Sequence, residues 1–108
     1  MEMNQFNDEE LHQALNMQTG KIGWAELQRQ FASGRVIRVA PELDLVAAAM
    51  KFVRDDKENI EKWIEAGQIR PAVDNDALVW NAKQANFWSV VVAPWVLVQE
   101  ISSSEQKK

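Results

Sequence analysis

The residues of this chain that are best suited to chemistry are four carboxylates on either side of one apolar segment. Glu42 and Asp44 precede the segment, and Asp55 and Asp56 follow it. Carboxylate oxygens are the preferred ligands of hard cations, so three of them converging beside a cleft would form a Mg²⁺ site. Helix capping and solvation explain Asp55 and Asp56 equally well, and we favour this structural interpretation. The carboxylate site stays open as the alternative hypothesis.

Few other residues offer catalytic chemistry. The chain has no cysteine, which excludes disulfides, thiolate zinc sites, iron–sulfur clusters and cysteine nucleophiles. Its one histidine, His12, falls on the exposed side of the first predicted helix, and no serine has the surroundings of a nucleophile elbow. The glycines are isolated, so no phosphate-binding loop is recognisable. We therefore predict no catalytic residues and no cofactor.

The five tryptophans are the other unusual feature. Trp24, Trp63 and Trp80 fall on apolar helical stripes and are predicted to lie in the core. Trp88 and Trp95 lie in the last apolar segment with opposite strand parity, which predicts that they face opposite sides of one strand. At least one of them would then be left for a partner, and we predict both as interaction residues.

Composition limits the classes of protein and partner. A length of 108 residues fits one domain, and a hydrophobic fraction of 46% is sufficient for a core. The net charge is −4, and the only close basic pair is Arg35 with Arg38, which disfavours nucleic acid. The first residues lack a secretory signal, and no apolar run has the length of a membrane helix. We expect a cytoplasmic protein with neither a nucleic-acid nor a membrane partner.

Five helices are predicted. Asn7 and Glu10 form a capping-box pattern for the first, and an amphipathic stripe over 24–31 indicates the second. Pro41 opens the third, which is apolar on nearly every side over 43–53. A helix with that pattern is expected at the centre of the core.

The fourth helix is indicated more clearly by the sequence than the fifth. Asp55 and Glu58 predict a second capping box, so the fourth helix begins after a tight corner. Residues 74–84 fit a short fifth helix, which we favour, or a β-hairpin. Both alternatives remain open at this point.

Three segments have the composition of strands. These are 35–40, 69–73 with Pro71 suggesting an edge position, and 87–101, in which Pro94 requires a bulge, a break or an edge. The prediction is one compact α+β domain over residues 1–101, with about five helices and about three strands. Residues 102–108 are polar and are predicted to be a disordered tail.

Several short motifs occur in an order that resembles a known family. They are Pro41-Glu42-Leu43-Asp44-Leu45-Val46, Asp55-Asp56, Trp63 with Ala66-Gly67-Gln68, and Ala93-Pro94-Trp95-Val96-Leu97-Val98-Gln99. Over roughly residues 24–99 the chain resembles the short bacterial proteins grouped as domain of unknown function 2288. The resemblance implies a bacterial, cytosolic, free-standing small protein, and it carries no activity, cofactor or catalytic residue over to this chain.

The functional hypothesis follows from the last predicted strand, which has more apolar residues than the predicted elements can bury. A last strand that is apolar on both faces is hard to bury with five short helices in a sheet of about three strands. We therefore expect a non-enzymatic interaction or structural protein that self-associates, as a homodimer, around Trp88 or Trp95. The alternative is a small enzyme or ligand-binding module that uses Glu42, Asp44 and Asp55 with Asp56, together with Mg²⁺.

Overall fold

Five helices and five strands make up residues 5–101, the part of the chain that the computed structural model describes. The helices are α1 (Asp8–Gln18), α2 (Trp24–Ala32), α3 (Leu45–Val53), α4 (Lys57–Glu65) and α5 (Asp74–Lys83). The strands are β1 (Gly20–Gly23), β2 (Val36–Val39), β3 (Ile69–Pro71), β4 (Asn86–Val92) and β5 (Trp95–Glu100). The α+β class and the five helices are confirmed, including the helix rather than the hairpin at 74–84. The predicted tail, 102–108, lies outside the described residues.

All five strands form one sheet in the order β1-β4-β5-β2-β3, so the prediction of about three strands is wrong. Neighbouring strands are antiparallel except β2 and β5, which are parallel. Pro71 ends β3 at one edge of the sheet, where a missing backbone N–H interrupts no ladder. The most apolar segment of the chain supplies β4 and β5, which lie inside the sheet.

Two features account for the additional strands. The first is β1, which has only four residues, two of them glycines, and pairs with β4 from Gly20 to Gly23. The second is a turn at Ala93 and Pro94, which divides the predicted last strand in two and places Val92 opposite Trp95. Proline has no N–H to donate to a ladder, so the break falls where the sequence requires one.

Helices cover both faces of the sheet. On the first face, Ile37, Val90 and Leu97 pack beneath α1, α3 and α4. On the second face, Phe87 and Val98 pack beneath α2 and α5. Helices of the same chain therefore cover both faces of the apolar strands over most of their length, and the argument for self-association from an uncovered sheet face no longer holds. Among residues 5–101, no helix is both long and apolar enough to cross a membrane.

Ion pairs attach both ends of α5 to the sheet. Near its start, the Asp76 carboxylate accepts hydrogen bonds from Arg70 Nη1 at 2.6 Å and Nη2 at 2.9 Å, and from the Val73 N–H at 2.9 Å. At its end, Lys83 Nζ lies 2.6 Å from the Glu100 carboxylate. These contacts complement the small apolar surface of α5, where only Trp80 is buried.

Asp76→Asn is expected to lower the free energy of unfolding by roughly 1.5–3 kcal/mol at neutral pH, the usual contribution of hydrogen bonds to a charged group. The hydrogen bonds from Arg70 hold the pKa of Asp76 below its ordinary value of 3.8. Because the folded pKa is the lower one, this stabilisation is present above the ordinary value and is lost as pH falls through the folded pKa.

Urea unfolding of both proteins, at neutral pH and in acid well below the ordinary aspartate pKa, measures this difference. The two proteins should differ at neutral pH and converge in acid. A difference that persists unchanged in acid would contradict the ion-pair explanation.

Candidate functional site

The β4–β5 hairpin ends in a turn that is both apolar and exposed. Val91 is 56% exposed and Trp95 is 37% exposed, and Ala93 and Pro94 between them are exposed as well. The turn extends beyond β1, because Ser89 is the last residue of β4 that pairs with that strand. The described part of the chain thus leaves an apolar hairpin end without a covering element on the β1 side.

A cleft of about 440 Å³ lies between this turn and the corner that joins α3 to α4. We call it the hairpin cleft. Its walls combine apolar side chains from the hairpin and the two helices with three charged side chains. The lining residues are Phe52, Asp55, Lys57, Ile60, Glu61, Val92, Ala93, Pro94 and Trp95. Its volume falls within the range of ordinary ligand and peptide pockets.

The α3–α4 corner supplies the three charges. Asp55 has a φ of 57°, a left-handed conformation that aspartate tolerates better than most residues, and this turns the chain sharply into α4. Lys57 is the first residue of α4, and Glu61 lies about one helical turn later. All three side chains are exposed, and none of them takes part in an ion pair or side-chain hydrogen bond within residues 5–101.

The predicted carboxylates have mainly structural contacts. Asp44 caps α3 by accepting hydrogen bonds from the N–H groups of Val46 at 3.0 Å and Ala47 at 3.2 Å. Asp56, rather than Asp55, caps α4 by accepting a hydrogen bond from the Asn59 N–H, so the predicted capping box of Asp55 and Glu58 is wrong. The Asn59 side-chain amide lies 2.9 Å from the Asp56 carboxylate, and it is the main reason that the pKa of Asp56 lies below its usual range.

The four carboxylates fall into two pairs at opposite ends of α3. This helix has nine residues and is about 14 Å long, so it separates Asp44 from Asp55 and Asp56 by more than that length. Glu42 is exposed in the segment that leads into the helix. Within residues 5–101, no three acidic or histidine side chains lie close enough together to hold a metal ion. Of the four predicted carboxylates, only Asp55 lines the hairpin cleft.

The two predicted interaction residues lie on the same face of the sheet, not on opposite faces. Trp95 is opposite Val92, and Trp88 precedes Val92 by an even number of residues on the same strand. The turn at Pro94 reverses the chain and cancels the parity difference that a continuous strand would have. Because four residues of strand span about 13 Å, the two indoles belong to separate surfaces.

Trp88 lies at the β1 side of the sheet. Lys21 of β1 is directly opposite Trp88, and Lys21 Nζ lies 5.3 Å from the centre of its indole ring. A cation over an indole ring is a stabilising contact that also covers part of its surface. Trp88 is nevertheless 39% exposed, so it remains a second, smaller surface.

Several residues of the cleft had no signal of their own in the sequence. Phe52 and Ile60 have the helical spacing of core residues, and both are half-buried at the cleft instead. Lys57 and Glu61 have the spacing of an intrahelical ion pair, which they do not form. In the sequence, the exposed surface is indicated only by Trp95 next to Pro94 in an apolar segment.

The comparisons with known proteins agree with the motif resemblance. The family model described as "Protein of unknown function (DUF2288)" matches residues 10–100, which include the whole hairpin cleft. The chain belongs to the DUF2288 family. This confirms the resemblance, and the DUF2288 match brings no activity or ligand with it.

A solved structure shares the fold. The chain is similar to PA1075 from Pseudomonas aeruginosa, whose structure was determined in solution by NMR. The two are 34% identical, the comparison covers 96% of this chain and 95% of the other, and the TM-score is 0.77. A search of curated proteins found no significant match.

Proposed function

We propose that this protein is a non-enzymatic interaction protein that self-associates through the hairpin cleft and the apolar turn beside it. The observation that carries the proposal is Trp95, a large aromatic side chain that is 37% exposed at a cleft within reach of Phe52 and Ile60. Tryptophan is enriched among the residues that dominate binding energy at protein interfaces. Here it lies at the hairpin cleft, where α3 and α4 leave part of its ring exposed.

The composition of the cleft supports binding rather than chemistry. Its apolar groups form the walls, and its charged groups are exposed to solvent around them. An apolar centre with a polar border is the usual anatomy of a protein interface. The lack of cysteine fits a reducing compartment, and the cytoplasm is the location that we propose.

A second copy of the chain is the partner that we propose. Homodimers with a twofold axis are the commonest soluble oligomers, and they need only one surface that complements itself. Trp95 meets this requirement sterically, because it is exposed at the end of the hairpin and can pack against its own copy.

Trp95→Glu is expected to convert a dimer into a monomer, because it places a charge in the centre of the apolar contact. Sedimentation equilibrium over a range of concentrations measures the change. Leu78→Glu is the matched control, since Leu78 is 70% exposed on α5 and its substitution should leave association unchanged. Trp88→Glu shows whether the second surface contributes.

Two outcomes would overturn the proposal. One is a wild-type protein that stays monomeric at the highest concentration that can be reached. The other is a Trp95→Glu variant that associates as strongly as the wild type while remaining folded by circular dichroism.

A further inference from the structure

We infer that the partner of the hairpin cleft is the same cleft of a second copy, with Lys57 of each copy lying against Glu61 of the other. This inference rests on the proposed self-association and specifies its geometry. It makes α4 an interface helix whose outward side contributes charge pairs to the dimer.

The charges around the cleft are the first support. Asp55, Lys57 and Glu61 are of both signs, are exposed, and lack ion-pair partners within the described chain. In a twofold interface, a contact between two different residues occurs twice, once in each direction. A surface that carries both a cation and an anion can therefore pair with itself.

The intrahelical alternative is unfavourable for a specific reason. Lys57 precedes Glu61 by four residues, and an acid that precedes a base stabilises a helix better than the reverse order. The cation of Lys57 also lies at the positive end of the α4 dipole, which disfavours it there. An anion supplied by a second copy would offset both effects.

The outward side of α4 is the second support. Ile64 is 49% exposed and continues the line of Lys57 and Glu61 at helical spacing, while Ile60 beside them lines the cleft. Two α4 helices that cross antiparallel with each Lys57 opposite a Glu61 would place Ile60 beside the twofold axis, between the two charge pairs, and Ile64 at the outer end of the contact. This arrangement adds apolar burial to the charge pairs.

Two charge reversals test the arrangement. Lys57→Glu alone creates two Glu–Glu contacts in a homodimer, and Glu61→Lys alone creates two Lys–Lys contacts. Each variant is expected to associate at least about tenfold more weakly than the wild type, because two like charges facing each other across an interface repel and raise the free energy of the complex. An equimolar mixture of the two restores both opposite-charge contacts, so it should form a heterodimer with wild-type affinity.

Native mass spectrometry of the mixture, with one variant isotopically labelled, counts homodimers and heterodimers directly. The double variant Lys57→Glu/Glu61→Lys in one chain should regain self-association, which shows that each single variant fails through charge and not through misfolding. If Trp95→Glu dissociates the protein but the mixture gains no heterodimer, this inference is overturned and the proposed function stands. If the wild type is monomeric, both are overturned.

Discussion

Phe87→Ala is expected to lower the free energy of unfolding by about 3–5 kcal/mol, the usual cost of removing a fully buried phenylalanine. The ring is completely buried on the second face of the sheet. It meets the Trp80 ring edge-on, with the ring centres 4.9 Å apart. Because small domains are stable by only about 5–15 kcal/mol, this loss is a large share of the total and should shift the urea midpoint strongly downward. Urea denaturation followed by circular dichroism measures the loss.

Trp88→Ala is the control for this substitution. Trp88 is the next residue of β4, it has a larger side chain, and it is 39% exposed on the other face. Its truncation removes less buried surface, so its cost should be much smaller. An equal cost for the two variants would mean that the second face of β4 is not the closed side of the core.

The helices could largely be predicted because their signals are local. Asn7 and Glu10 form the capping box that their types and spacing indicate. The apolar pattern of α3 predicted a central helix, and α3 packs on β4 and β5 as well as on α1 and α4. Its start was predicted too early, at Pro41, because Asp44 supplies the cap by accepting hydrogen bonds from the N–H groups of Val46 and Ala47 in the first turn. Capping side chains rather than proline therefore set the first residue of this helix.

β1 could not be predicted because its four residues do not have the composition of a strand. Gly20 and Gly23 are half of its four residues, glycine has a low strand propensity, and Ile22 is its one apolar side chain. The strand exists because β4 offers an unpaired ladder beside it, with Ile22 opposite Phe87. Tertiary pairing here overrides a low intrinsic preference for strand.

The hairpin cleft is invisible in the sequence for a similar reason. Its walls come from four elements, α3, α4, β4 and β5, and the packing of α3 against β4 brings Phe52 near Trp95. In one continuous strand, Trp88 and Trp95 would face opposite sides of the sheet, as the sequence predicted. The structure has two strands joined by a turn, and the prediction is wrong for that arrangement. Once Pro94 is placed in a turn, the same alternation puts both indoles on one face. The error was in the continuity of the strand, not in its periodicity.

Leu97→Ala is expected to lower the free energy of unfolding by about 2–5 kcal/mol, the usual cost of emptying a buried leucine site. Leu97 is completely buried at the centre of the first face, between Val90 of β4 and Ile37 of β2. β5 is parallel to β2 and antiparallel to β4, so the backbone at this position is held from both sides and can collapse little into the space. The cost should therefore fall in the upper half of the range, as urea denaturation can measure.

The same substitution at Leu78 separates burial from residue type. Leu78 is 70% exposed on α5, so Leu78→Ala removes little buried surface and exchanges leucine for the strongest helix former. Its effect should lie within about 0.5 kcal/mol of zero, as for most surface substitutions. If Leu97→Ala were equally mild, the first face could not be the closed core that α1, α3 and α4 form. The exposure of Trp95 would then no longer contrast with a closed core on the same face, and the physical reason for placing the interaction surface at Trp95 would be lost.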